Sequence, residues 1–394
     1  MKKELFVDFL NPCMMHMPTD VCGVLPTQST TSPAEPMPKL SGQVFRILEN
    51  TGSTFRVLGR TYARGEGLAC DFSCTGIEFA ALCEGEIYLA VEATAQAYLT
   101  VYIDGDRVRD RISVNPTTAL VCIARGLAYG EHTVMVVNQT QFPMATIVMH
   151  EIRLTGLFRE KPANQDLFLE FYGDSTLHGS NIFLGGTRAE TSDATSAFGW
   201  IAARQLGADC SLIGHGGLGL VKSNLAYCML DLYDLCGSIN LADVPKYDFA
   251  RVPDAVIVKL GTNDYVHGGL SGAPEVYAEG IAKFIGNIRL KYGTAVPIVW
   301  IYGLRDDGLD FWATTKATLD ILKNTGDINI HYCKVSTGYV PKSQGGDGWH
   351  PNVTMSKTIG SEVADFLENL LKQNPRTRTS GRVCCRYCLI KASG

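Results

Sequence analysis

The run Leu167-Phe168-Leu169-Glu170-Phe171-Tyr172-Gly173-Asp174-Ser175 decides the fold. An apolar stretch ends abruptly at a glycine, an acid and a hydroxyl. A strand buried on both faces reads as an almost unbroken apolar run, and such strands belong to parallel sheets covered by helices. In those sheets, ligand chemistry collects beyond the carboxyl ends of the strands. Asp174 and Ser175 therefore stand where a site is expected. The same rhythm continues downstream: residues 209–214, 254–261, 296–302 and 328–335 read as further strands. Between and after them, 196–206, 224–235, 274–291, 311–323 and 352–372 read as helices, with Ser196 as the N-cap of the first. This alternation predicts an α/β domain over 161–373.

Upstream the rhythm differs. Residues 77–81, 86–91, 98–103, 119–123, 132–137 and 145–154 alternate apolar and polar positions, and Asp104-Gly105 marks a tight turn. No helical period intervenes, so 42–160 is expected to form an all-β sandwich, a jelly roll. Residues 1–41, rich in Pro, Ser and Thr towards their end, read as an extended lead-in, and 374–394 as a tail.

Composition narrows the function. Of 394 residues, 46% are hydrophobic and 19% charged, with a formal net charge of −5. Lys and Arg form no basic stripe, so no nucleic-acid partner is expected. No apolar run reaches the length of a membrane span. The first residues, MKKELFVDFLNPCMM, lack the apolar core of an export signal, so a cytoplasmic location is expected, or secretion if a leader has been trimmed away. Thirteen cysteines, mostly solitary in apolar surroundings, read as small buried hydrophobes. Cys384, Cys385 and Cys388 cluster in the tail without a matching Cys/His pair, so no metal is expected. No dinucleotide fingerprint is present, and no cofactor is expected. The sequence does not define an oligomeric state.

The segments that follow the strands carry complementary chemistry. They are Gly173-Asp174-Ser175, then His215-Gly216-Gly217-Leu218-Gly219, then Gly261-Thr262-Asn263-Asp264, and finally Asp347-Gly348-Trp349-His350-Pro351 ahead of the last helix. A serine hydroxyl becomes a nucleophile when a base takes its proton. His350 is the candidate base, and Asp347, three residues earlier, is placed to hold its tautomer. An oxyanion formed by attack on an acyl carbonyl needs donors already in place. The backbone N–H of Ser175, that of Gly217 and the side-chain amide of Asn263 are candidates. Each signal alone also fits a turn, a flexible loop or a helix cap. Asp347-x-x-His350 also suits a metal pair, but no further ligands lie nearby in sequence. His178 and His215 compete with His350 as base, though neither has an acid at the same spacing.

In their order, these four segments resemble the blocks of the SGNH hydrolase superfamily. The resemblance implies a flavodoxin-like three-layer α/β/α fold, with Ser175 as nucleophile, Gly217 and Asn263 as oxyanion donors, His350 as base and Asp347 as its orienter. With Cys74-Thr75-Gly76-Ile77-Glu78-Phe79, Tyr102-Ile103-Asp104-Gly105, Gly130-Glu131-His132-Thr133-Val134 and Gly217-Leu218-Gly219-Leu220, the chain is similar to carbohydrate esterase family 2 over about 43–373. Members join an N-terminal jelly roll to an SGNH domain and remove O-acetyl groups from plant polysaccharides. The resemblance thus implies an acetylated oligosaccharide or polysaccharide (mannan, xylan or glucomannan) as substrate. Thr176-Leu177-His178-Gly179 departs from the family's usual Ile-Thr before a glycine, which implies a reshaped pocket edge. Trp349 is the leading candidate for a sugar platform. Tyr265, Trp312 and Tyr302 are further candidates, and Arg305, Asp306 and Asp307 are placed to reach hydroxyls; Trp200 and Trp300 are read as core. The alternatives are an esterase or lipase on simple acyl or lipid esters, and a carbohydrate-binding protein with an idle catalytic domain.

Overall fold

A computed structural model describes residues 41–238, 240, 243–304, 311–338, 341–342 and 346–373. Most of the lead-in, the tail with its three cysteines, and Arg305, Asp306 and Asp307 lie outside the described residues.

Nine strands form the first sheet: β1 (Gly42–Arg46), β2 (Arg56–Leu58), β3 (Tyr62–Arg64), β4 (Gly67–Cys70), β5 (Gly76–Ala93), β6 (Ala97–Ile103), β7 (Asp106–Val114), β8 (Ala119–Asn138) and β9 (Ile147–Phe158). Every strand pairing is antiparallel, in the order β3-β4-β9-β5-β8-β6-β7, with β1 on β9 and β2 on β5. Two expectations change here. Residues 77–81 and 86–91 are one strand, and so are 119–123 and 132–137. Bulges around Gly85 carry one strand through the Glu84-Gly85-Glu86 segment. The inward set keeps its period of two across the bulge: Ile77, Phe79, Ala81, Cys83, Ile87, Leu89, Val91 and Ala93 all enter one buried core. β1 to β4 are short, and β7 reads DRVRDRISV, a charged edge strand whose only buried residues are Ile112 and Val114. Such strands give little apolar signal.

The second sheet is parallel: β10 (Phe168–Gly173), β11 (Asp209–Gly214), β12 (Ala255–Lys259), β13 (Ile298–Tyr302) and β14 (Ile330–Lys334), in the order β11-β10-β12-β13-β14. This is the flavodoxin-like order, and helices cover it. They are α1 (Arg188–Thr191), α2 (Phe198–Gln205), α3 (Met229–Leu232), α4 (Thr262–Val266), α5 (Pro274–Tyr292), α6 (Phe311–Asn324) and α7 (Val353–Gln373). Ile359, Val363, Leu367 and Leu371 form the buried stripe of α7. Two local expectations fail. The N-cap of α2 is Ala197 and makes no side-chain cap bond; the Ser196 hydroxyl donates to Asp193 instead. Of 224–235 only α3 is helical, because Ser223 and Asp231 side chains bond loop backbone at Leu225 and Cys228.

The two sheets share an interface. Leu58, Cys74, Tyr102, Met135 and Val137 of the β region join Leu169, Phe171, Trp200 and Leu212 in one core. Arg60, buried, crosses over to pair with Glu170 at 3.1 Å and to donate to the Tyr172 hydroxyl. Arg56 bridges Glu78 and Asp209.

Candidate active site

The sheet register places the site. β10 is flanked by β11 and β12, with Gly173 level with both Gly214 and Lys259. The chain goes to one side of β10 for its second strand and to the other for its third. The loops carrying Ser175, Gly217 and Asn263 therefore leave the sheet side by side, at its topological switch point.

His350, on the loop before α7, reaches this edge. Its Nε2 lies 2.9 Å from Ser175 Oγ, and its Nδ1 lies 2.6 Å from Asp347 Oδ2. The other carboxylate oxygen of Asp347 accepts the backbone N–H groups of Trp349 and His350, each at 2.7 Å, and Oδ2 also accepts from Asn181 at 3.0 Å. Partial burial pushes the Asp347 carboxyl up, but His350, the Trp349 N–H and Asn181 outweigh it, so the group sits well below the usual carboxylate range. An ionised carboxylate only accepts, so the proton sits on Nδ1. Nε2 is left as an acceptor facing the serine hydroxyl. The arrangement can take a proton from Ser175 as its oxygen attacks.

The donor side is braced by Asp264. Its carboxylate accepts the N–H groups of Leu220 and Val221 at 2.7 and 2.8 Å and of Lys222 at 3.0 Å. Burial raises this carboxyl to about 6, against the pull of those donors. Asn263, beside it on α4, donates one amide N–H to Leu218 O at 3.0 Å. An amide carries two such hydrogens, so the second remains for an oxyanion. Gly217 takes a φ of +82°, within the same loop.

Asp174 is a support for the nucleophile turn. It is buried, bonded to Lys259 Nζ at 2.8 Å and to the N–H and hydroxyl of Thr176. Burial raises its carboxyl; Lys259 and Thr176 more than offset this and hold it below the usual range. His178 and His215 do not serve as rival bases in this arrangement. His178 is fully buried, with Nδ1 on Ser73 of the β region, and burial pushes it down to about 3. His215 bonds Gly216 O, and burial pushes it down to about 4.

The aromatic candidates separate. Trp349 is 51% exposed beside His350. Tyr265 is buried edge-on against Tyr277 at 5.5 Å, its hydroxyl on Thr314, and presents no face to a sugar. Its placement on α4, one residue past Asp264, turns it into the core. Trp312 stacks on Tyr302 at 3.8 Å with Tyr332 at its edge, so one of its faces is already covered. Trp200 and Trp300 are core, as expected.

Sequence reading missed three supports. Lys259 had a signal, a charge inside a buried strand. Asn181 and Gln141 had none. Gln141, from the β region, accepts from Ser180 at 2.5 Å and Ser192 at 3.1 Å and abuts Gly216. It ties together three loops around the site.

Comparison with known proteins finds chains similar to this one. Residues 57–162 match the model of the carbohydrate esterase 2 N-terminal domain. The cellulase/esterase CelE of Acetivibrio thermocellus is 23% identical over an alignment of 311 residues that covers 73% of this chain and 36% of the relative. The acetylxylan esterase / glucomannan deacetylase of Cellvibrio japonicus is 24% identical over 228 residues, 54% of this chain and 62% of the relative. The chain thus spans about a third of the first of these curated relatives and about three fifths of the second. The acetyl xylan esterase Est2A from the rumen bacterium Butyrivibrio proteoclasticus superposes with a TM-score of 0.74 at 21% identity, over 84% of this chain and 99% of that one. These findings bear out the resemblance to carbohydrate esterase family 2 and the jelly-roll plus α/β fold.

Proposed function

We propose that the chain is a serine esterase of the carbohydrate esterase family 2 type, which removes O-acetyl groups from plant polysaccharides or oligosaccharides such as mannan, xylan or glucomannan. The observation that carries this reading is the unbroken chain Ser175 Oγ, His350 Nε2, His350 Nδ1, Asp347 Oδ2 at the carboxyl edge of the sheet. The names of the relatives, an acetylxylan esterase and glucomannan deacetylase among them, support the substrate class.

Ser175 Oγ attacks the acetyl carbonyl carbon while its proton passes to His350 Nε2. The carbonyl oxygen becomes an oxyanion facing the Ser175 and Gly217 N–H groups and the free N–H of Asn263. His350 returns the proton to the sugar oxygen as the C–O bond breaks, leaving the acetyl group on Ser175. Water then attacks the acyl carbon, giving its proton to His350. Acetate departs as Ser175 regains its proton. Asp347 stays ionised throughout and stabilises the imidazolium. Trp349 offers its exposed face to the apolar side of a sugar ring.

The test is an NMR time course of acetate release from acetylated mannan and xylan oligosaccharides, wild type against Ser175→Ala. Release by the wild type and a loss of several orders of magnitude in the variant support the reading. Turnover confined to long-chain esters, or binding without release by either protein, overturns it.

A further inference from the structure

The bonds around Asp347 do not end at the carboxylate. Oδ2, the oxygen that receives the imidazole N–H, also receives the side-chain amide of Asn181 at 3.0 Å. Asn181 lies six residues after Ser175, on the same loop. The hydrogen bonds therefore form a closed ring: Ser175 to His350, His350 to Asp347, Asp347 to Asn181, and back along the chain to Ser175. The amide orientation follows from chemistry. An ionised carboxylate cannot donate, so the NH2 end of Asn181 must face it, which leaves Oδ1 towards Thr191 Oγ1 at 3.1 Å. The backbone at 181 has a φ of +50°, in the left-handed region that asparagine tolerates better than most residues. This conformation turns the side chain back over its own loop. The turn between 175 and 181 is itself closed, with the Ser180 N–H bonded to Ser175 O at 3.0 Å.

We infer that Asn181 is a positioning residue, which fastens Asp347 to the nucleophile's own loop and so sets the imidazole of His350 in line with Ser175. The other hydrogen bonds to the Asp347 carboxylate come from the imidazole and from the N–H groups of Trp349 and His350, all within its own loop. Asn181 connects it to the rest of the site independently of the imidazole. Without this bond the carboxylate moves with its own loop, and the register between base and nucleophile loosens. The idea rests on the esterase reading for its kinetic consequence, and on geometry alone for its structural one.

Two substitutions separate the amide from the backbone. Asn181→Gly accepts the left-handed φ and deletes the amide. Asn181→Asp keeps the shape, removes the donor and sets a second carboxylate against the first. On a small aryl acetate, Asn181→Gly is expected to lower kcat by about 10-fold or more with KM little changed, since orientation rather than substrate contact is lost. Asn181→Asp is expected to move the acid limb of kcat/KM upward by about one pH unit, because added negative charge favours the imidazolium. The His350–Asp347 pair is faced by Ser175, Asn181 and the backbone N–H groups of Trp349 and His350. An NMR titration of the His350 ring, assigned with His350→Gln, reads the same coupling without any turnover. A raised His350 titration in Asn181→Asp supports the role even if no ester is hydrolysed. Unchanged kcat in Asn181→Gly, together with an unshifted His350 titration in Asn181→Asp, overturns it.

Discussion

At the scale of the residue, the site joins one reactive chain to one silent ion pair. Ser175, His350 and Asp347 form the first; Lys259 and Asp174 form the second, buried directly beneath the nucleophile turn. Their expected responses to mutation differ. Asp347→Asn removes the acceptor that holds the imidazole tautomer, and kcat on an aryl acetate is expected to fall by about 10²–10⁴-fold with the fold intact, as steady-state kinetics and circular dichroism can show. Lys259→Met leaves the buried Asp174 carboxylate without its cation, with Thr176 still bonded to it. Breaking a buried pair in this way costs about 3–5 kcal/mol, so chemical denaturation should show a large loss of stability, which a double Lys259→Met/Asp174→Asn variant partly recovers. If the single variant is as stable as wild type, the pair is not a support. His350 and Asp347 were legible in the sequence from their spacing before a helix. Asn181 was not, because its role depends on a left-handed turn that brings position 181 against position 347.

At the scale of the element, one loop at the strand ends is held by a single carboxylate. The loop after β11 hangs on the Asp264 carboxylate through three N–H groups, and a Cβ on Gly219 would lie 1.9 Å from Lys222 O. Gly219→Ala must therefore displace backbone. Asp264→Asn keeps the volume but cannot accept all three bonds from one ionised group. Both are expected to cut kcat by about 10-fold or more while KM changes less, because the donor loop is displaced rather than the sugar platform. Equal losses in KM alone would place the loop in substrate binding instead. The strands of the parallel sheet were readable from apolar runs, and their ends fell within a few residues of those expected. The long β5 and β8 were misread as pairs of strands because a Glu-Gly-Glu segment or a Gly carries a turn's composition whether it turns the chain or only bulges it. The segment 224–235 was misread because apolar periodicity cannot reveal Ser223 and Asp231 side chains competing for the backbone.

At the scale of the whole molecule, the β region is a structural partner of the site. Gln141 bonds Ser180 and Ser192, Ser73 bonds His178, and Arg60 is buried against Glu170. The Gln141 and Ser73 pairings have no sequence signature, since each joins distant positions through side chains common in any loop; Glu170, a charge inside the buried strand β10, signals a partner without saying which. They carry a stability consequence with acid. His178 and His215 have folded values of about 3 and about 4 against an ordinary 6.5. Between those values and 6.5 the unfolded chain binds protons that the folded chain refuses, so stability falls as the pH drops through this window. Asp174 and Asp347, held low, add to the loss at still lower pH. Asp264, raised to about 6, acts the other way between 3.8 and 6 and reduces the slope. Melting temperatures from pH 7 to 4.5 should decline, and His215→Gln should flatten the decline. A melting temperature independent of pH over that range would contradict the burial of both rings.

The most direct measurement for the central claim is intact-mass and peptide analysis of the protein quenched during turnover of an aryl acetate. The account predicts a single added acetyl group, located on the peptide bearing Ser175, and none on Ser175→Ala. Acetylation at another residue, or undiminished hydrolysis by Ser175→Ala, would contradict it.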